Sequence, residues 1–184
     1  HDYIAGSVDR IADISRAKIV SGIMKRHALG SGGRYENRGA VIASLGSGLA
    51  EPDMWAAKEL LSAGITVDRL LEFDNDPIAM AAALSRAKAH KLDHLVSQYR
   101  GNFIKWPISR QIAPRSIDYV NLVGLMDYIP KYATGYKMAS NLLREVAPIV
   151  MPGGLIIFGN MVRHRPQQAW FEGIWPTILQ RNIS

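Results

Sequence analysis

The sequence predicts an α/β fold, a doubly wound and mostly parallel sheet with helices on both faces. Two observations predict it. Short apolar runs of strand length alternate along the chain with longer segments of helical spacing. The runs themselves are nearly continuously apolar, as strands buried on both faces must be. Right-handed crossovers between such strands then give a Rossmann-like sheet.

The elements follow in order. Residues Ser7 to Leu29 place Val8, Ile11, Ile14, Ile19, Ile23 and Met24 at an imperfect helical spacing. "GSGGRYENRG", Gly30 to Gly39, is dense in turn residues and reads as a loop. "AVIASL" (40–45) is the first strand, and a helix runs from Asp53 to Ala63. "DRLLEF" (68–73) is the second strand, followed by an alanine-rich helix from Pro77 to Lys91. "HLVSQY" (94–99) is a weaker third strand, and "IDYVNLVG" (117–124) a fourth. A helix from Tyr132 to Val150 leads to the fifth strand, "GLIIFGN" (154–160), and Gln167 to Arg181 is a last helix interrupted at Pro176. The chain thus divides into a helical segment and loop, 1–39, and a main domain, 40–184.

Composition bounds the function. A chain of 184 residues suits one such domain, and 48% hydrophobic with 21% charged residues is an ordinary globular balance. No apolar run approaches the roughly 18 residues of a membrane span. The absence of cysteine excludes disulfides, thiolate metal sites and a cysteine nucleophile, and agrees with a cytoplasmic location. His27, His90 and His94 show no ligand spacing, so no metal site is expected. The net charge of +6 permits a nucleic-acid partner. It is spread, however, with concentrations only at Lys25-Arg26-His27 and Arg163-His164-Arg165, which favours a solvated basic surface.

The stretch that carries chemistry is "VIASLGSGLAEPDMWAAKELL", Val41 to Leu61. Gly46, Ser47 and Gly48 fall at the carboxyl end of the first strand, where doubly wound sheets bind ligands. Glycines there permit tight backbone angles and close approach of a ligand. A dinucleotide site wants G-x-G-x-x-G with a pyrophosphate at the helix N-terminus, but the third position is Glu51. A carboxylate repels a pyrophosphate and suits a cationic ligand. The plainer alternative is a tight turn with Glu51 capping a helix that starts at Pro52. The second strand ends "LLEFDNDP", which puts Asp74 where an acid would accept hydrogen bonds from ribose hydroxyls, with Glu72 as its competitor. Asp76, before Pro77, is a helix N-cap.

From these residues the sequence resembles the class I S-adenosylmethionine-dependent methyltransferases over about residues 40–160. "LGSGLAEP" is similar to the family's glycine motif and "EFDNDPIAM" to its ribose-binding motif. "YRGNF" stands where the family often has Gly-Asp, with Asn102 replacing the acid that meets the adenine amino group. "IDYVNLVGLMDYIP" and "LLREVAPIVMPGGLIIFGN" are similar to the fourth and fifth motifs. The resemblance implies S-adenosylmethionine as cofactor, held by Gly46, Ser47, Gly48, Glu51, Asp74, Asn75, Asn102, Phe103, Leu122 and Gly124. It implies a structural role for Asp118 at the head of the fourth strand. A looser likeness, resting on "GNMVRHRPQQAWFEGIW", is to bacterial enzymes that methylate the carboxyl group of hydroxy fatty acids. The family's sheet closes with a hairpin of two more strands, so this domain is expected to be trimmed or C-terminally incomplete. The opening residue, His1, likewise leaves room for a preceding stretch.

The expected function is methyl transfer to a small organic molecule, with a carboxylate favoured because it needs no base. Tyr128, Asn160, Arg163 and His164, with Asp127, are the candidate acceptor contacts, since all follow the fourth or fifth strand. The alternatives are a nucleic-acid methyltransferase and a non-catalytic cofactor-binding partner domain. Asn121 is followed by Leu-Val-Gly rather than Pro-Pro-aromatic, which counts against a DNA amino-methyltransferase.

Overall fold

Five runs of apolar sequence pair side by side in the computed structural model, which describes residues 8–102, 107–123, 125 and 133–159. The strands are β1 (Ala40–Leu45), β2 (Val67–Asp74), β3 (Val96–Arg100), β4 (Ile117–Asn121) and β5 (Val150–Ile157). They form one sheet in the order β3-β2-β1-β4-β5, with every pair parallel. The helices are α1 (Val8–Leu29), α2 (Glu51–Ser62), α3 (Pro77–Ala89) and α4 (Ala133–Val146). The order reverses between β1 and β4, which is the switch point where such sheets open a crevice.

Strand alternation sorts the core into two layers. Ala40 and Ile42 of β1 join Leu70, Tyr119 and residues of α1, α2 and α3 on one face. Val41, Ala43 and Leu45 join Phe73, Val120, Ile108 and residues of α4 on the other. α1 buries Ala17, Val20, Met24 and Ala28, and α2 buries Ala56, Ala57 and Leu60. Small residues on both helices let them pack closely. That choice overrides the spacing of the large residues: Ile19, expected on the apolar face, is 62% exposed.

Boundaries moved where backbone chemistry overrode apolarity. Residues 93–95 form a single 3-10 turn, so β3 begins at Val96 rather than His94. β4 ends at Asn121, not Gly124. α2 begins at Glu51, before the expected Asp53, and α4 gives way to a 3-10 turn at Ala147, next to Pro148. β5 begins at Val150, four residues before the expected Gly154, and ends at Ile157. Its pairing jumps from Ile117↔Val150 to Tyr119↔Leu155, so "MPGG" is accommodated as a bulge, with Gly153 at φ +74°. The last expected helix, Gln167 to Arg181, lies outside the described residues.

The loop from Gly30 to Gly39 does structural work at the amino end of the sheet. Asp118 on β4 is fully buried and accepts hydrogen bonds from Val41 N (2.9 Å), Tyr35 Oη (3.2 Å) and Arg38 Nη2. Arg34 Nη2 approaches the same carboxylate at 3.1 Å as an ion pair without hydrogen-bond alignment. Tyr35 Oη also lies 3.0 Å from Tyr119 Oη, and His27 Nδ1 lies 3.2 Å from the Tyr119 hydroxyl. Asp118 is therefore structural, as the resemblance implies. Lys25 pairs with Glu59 at 2.8 Å. Two residues of the Lys25-Arg26-His27 cluster thus have partners inside the protein.

Replacing Asp118 strands two guanidinium groups and a backbone N–H. Asp118→Ala should cost about 3 kcal/mol, the low end for one partner of a buried pair because Arg38 is partly exposed. Urea unfolding midpoints of the two chains measure it.

Candidate functional site

The chain turns immediately after β1. Gly46 and Gly48 have φ of 67° and 52°, in the left-handed region where a Cβ is penalised. A Cβ on Gly46 would lie 3.1 Å from Leu125, whereas one on Gly48 would meet nothing within 4 Å. Gly46 thus serves packing as well as conformation, and Gly48 borders open space. Ala50, the residue before α2, repeats the left-handed conformation with φ 51°. The third special position of the turn is therefore Ala50, which sequence reading missed because alanine gives no sign of positive φ.

The end of β2 holds this turn in place. The Phe73 carbonyl accepts from Gly46 N and Ser47 N at 2.8 and 3.1 Å. Asp74 Oδ2 accepts from Gly48 N at 2.7 Å, and Oδ1 accepts from Asp76 N at 2.9 Å. Asp76 Oδ1 in turn accepts from Ile78 N at 2.8 Å, which makes it the N-cap of α3. The Asp74 carbonyl accepts from Gly101 N at 2.9 Å, tying in the chain just before Asn102. Each carboxylate oxygen of Asp74 retains acceptor capacity beyond its one backbone partner.

The other candidates are placed as follows. Asn75 is exposed just past β2, and Asn102 is half-buried just past β3. Leu122 is fully buried beyond β4, with its N–H donated to Ile157 O at 2.7 Å. Glu51 lies in the first turn of α2, and its carboxylate pairs with Arg86 Nη1 of α3 at 3.2 Å. The N-cap of α2 is Ala50 and no side chain caps it, so Glu51 does not cap and Pro52 does not open the helix. Phe103, Gly124, Asp127, Tyr128, Asn160, Arg163 and His164 lie outside the described residues. The structure thus brings together the Gly46–Gly48 turn, Asp74, Asn75 and Asn102, with Glu51 at the rim.

Beneath the turn runs a feature that the sequence reading did not assemble. Gln98, Glu72, Ser44 and Asn121 are in register across β3, β2, β1 and β4, so their side chains share one face. Asn121 Nδ2 donates to Asp53 Oδ1 of α2 at 3.1 Å, and Gln98 Nε2 donates to Glu72 Oε2 at 2.8 Å. Glu72 is fully buried here, one pleat below Asp74. Burial pushes Glu72 up to about 7, helped by the charges of Asp53 and Asp74, and pushes Asp53 up to about 6. Asp53 Oδ2, Glu72 Oε1 and the Ser47 hydroxyl are buried without a hydrogen-bond partner. One polar residue near the end of each apolar strand was the available signal.

A cleft of about 250 Å³ also opens between α2 and α3, lined by Glu51, Met54, Trp55, Lys58, Arg86 and His90. It lies beside the strand ends rather than over them, and of the site residues only Glu51 lines it. Among the described residues no helix is long and apolar enough to cross a membrane, and no cluster of His, Asp or Glu is placed to hold a metal.

No family model and no curated protein matches this chain. Solved structures do. An O-methyltransferase family protein from Burkholderia thailandensis matches with a TM-score of 0.57 at 18% identity, over 90% of this chain and 46% of that one. A geranyl diphosphate methyltransferase in complex with S-adenosylmethionine gives 0.57 at 11%, over 84% and 51%. The fold is that of the class I S-adenosylmethionine-dependent methyltransferases. The trans-methyltransferase CalH, in complex with S-adenosylhomocysteine, is a further match at 0.54 and 17%, over 77% and 35%. The chain spans about half the length of such methyltransferase neighbours or less, and at these identities the likeness is one of fold.

In this methyltransferase fold the turn carries measurable strain. A left-handed alanine costs about 1–2 kcal/mol, against which glycine frees the unfolded chain by about 0.4–1 kcal/mol. Ala50→Gly should therefore stabilise the chain by up to about 1 kcal/mol, read as a higher denaturation midpoint.

Proposed function

We propose that this chain is the cofactor-binding part of an S-adenosylmethionine-dependent methyltransferase that acts on a small organic molecule. The observation that best supports it is Asp74: an acid at the carboxyl end of β2, bonded to Gly48 N of the turn at the switch point. The same place offers acids rather than anion-binding groups, with Glu51, Asp74 and Asp76 around the turn. That set of acceptors fits ribose hydroxyls and a cationic ligand and opposes a pyrophosphate.

In this reading Asp74 accepts from the ribose hydroxyls, and the open side of Gly48 lets the ligand reach the backbone. Asn102 offers its carbonyl to the adenine amino group, while Asn75 and Phe103 flank the base. Glu51 faces the cationic end of the ligand, and Ser47, Leu122 and Gly124 complete the wall. When bound, the cofactor supplies an activated methyl group for in-line displacement. The protein's share of the work is then alignment and exclusion of water.

The acceptor is a small molecule bearing a carboxylate, with Arg163 and His164 orienting the anionic head and Tyr128 and Asn160 beside it. A carboxylate is already nucleophilic at neutral pH, so no base is required. The ion pair of Lys25 with Glu59 offsets one of the charges that permit a nucleic-acid partner.

Calorimetry tests the cofactor. S-adenosylhomocysteine should bind and NAD should not; tighter binding of NAD would overturn the assignment. Asp74→Ala should weaken S-adenosylhomocysteine by about 1.5–3 kcal/mol, the range for hydrogen bonds to a charged group. Asp76→Ala should instead cost about 1 kcal/mol of helix stability. For the acceptor, label transferred from radioactive S-adenosylmethionine to a cell extract should be released by mild alkali, as a methyl ester is. A label that resists alkali would rule out the carboxylate.

A further inference from the structure

The cleft between α2 and α3 has no part in the cofactor reading beyond Glu51 at its rim, and its lining combines two chemistries. Glu51, Met54, Trp55 and Lys58 recur at helical spacing on one face of α2, and Arg86 and His90 follow one turn apart at the end of α3. Met54 is buried and Trp55 half-buried, which gives the cleft an apolar wall, while Lys58 and His90 are exposed. Lys18 of α1 stands over the Trp55 ring, with Nζ 5.6 Å from the centroid, and adds a cation beside the cleft.

Charge and size decide what fits there. Glu51 is the one acid in the lining, and Arg86 Nη1 lies 3.2 Å from its carboxylate, so the two charges offset each other. A guanidinium carries five N–H donors in a fixed fork, which leaves Arg86 donors for a second acceptor. Among the described residues no ion pair holds Lys58 or His90. The cleft thus keeps a net positive charge, with donors on two facing helices. Its volume of about 250 Å³ is smaller than the roughly 300–1,000 Å³ of sites for drug-sized ligands.

We propose that this cleft is a second ligand site, which takes a small phosphate monoester with a planar or apolar body. Arg86, Lys58 and His90 hold the phosphate, and Trp55 with Met54 covers the body. A phosphate monoester carries a charge of about −1.5 to −2 at neutral pH and three terminal oxygens. That matches three donor side chains better than a carboxylate does, with one charge and two oxygens. Asp74 and Asp76, around the Gly46–Gly48 turn, repel the same ligand, so charge keeps the two sites apart. The inference stands without the cofactor reading, because of the residues assigned to the cofactor only Glu51 lines the cleft.

Nitrogen-labelled full chain, titrated at neutral pH with phenyl phosphate, tests the site by amide NMR. Inorganic phosphate, benzoate, phenol and benzylamine are titrated alongside. Phenyl phosphate should saturate, with the largest shift changes on Trp55, Lys58, Arg86 and His90. Inorganic phosphate should move the same residues with weaker affinity, since it leaves Trp55 uncovered. Benzoate should bind at least about threefold more weakly than phenyl phosphate, and phenol and benzylamine should not saturate. Arg86→Gln should weaken phenyl phosphate about tenfold, as loss of a hydrogen bond to a charged group does. Lys58→Gln, at an exposed position, should weaken it about threefold. Lys88→Gln, on α3 but outside the lining, should leave the affinity unchanged.

A phenyl phosphate titration without saturation overturns the site. Benzoate that binds as tightly overturns the phosphate class, and phenol or benzylamine that saturates the same residues overturns anion recognition. A loss in Lys88→Gln equal to that in Lys58→Gln also overturns it, because the surface charge as a whole would then hold the ligand. Shift changes centred on Gly46 to Gly48 would put the phosphate in the turn and contradict the separation of the two sites.

Discussion

The hydrogen bonds from Gly46, Ser47 and Gly48 to Phe73 and Asp74 are the interaction on which the rest of this sheet edge depends. A turn with three left-handed residues in five gains little from its own backbone. It persists because the next strand supplies acceptors at the required spacing, one carbonyl for two N–H groups and one carboxylate oxygen for the third. The same strand end caps the start of the next crossover, through Asp74 to Asp76 N and Asp76 to Ile78 N. A single residue, Asp74, thus fixes the glycine turn and the entry to α3.

The two ends of the sheet treat buried charge differently. At the amino end Asp118 faces two arginines, a tyrosine hydroxyl and a backbone N–H. At the carboxyl end Asp53 and Glu72 are as deeply buried, but their neighbours are serine, asparagine and glutamine. The first arrangement staples the 30–39 loop to the core. The second leaves two carboxyls that burial raises above their ordinary range.

The parts that were legible in the sequence are those written in period and punctuation. Continuous apolar runs gave the strands, Asp76-Pro77 gave a helix start, and Gly46 with Gly48 marked the turn. Less legible were features set by pairing between strands. Glu72 looked like a rival to Asp74 until register placed it one pleat deeper, beside Ser44 and Gln98. Ala50 carries a backbone conformation its side chain does not advertise, and Glu51 looked like a cap until Arg86 was found across from it. The "MPGG" segment reads as a turn in one dimension and is a bulge within β5 in three, because Leu155 resumes the pairing that Val150 began.

In the proposed reading, the edge formed by the β1 turn and the ends of β2 and β3 is the cofactor site. Nitrogen-labelled chain titrated with S-adenosylhomocysteine tests it most directly, residue by residue. The largest amide shift changes should fall on Gly46 to Glu51, on Asp74 and Asn75, and on Asn102. Saturable changes confined to Trp55, Lys58, Arg86 and His90, in the cleft between α2 and α3, would contradict it.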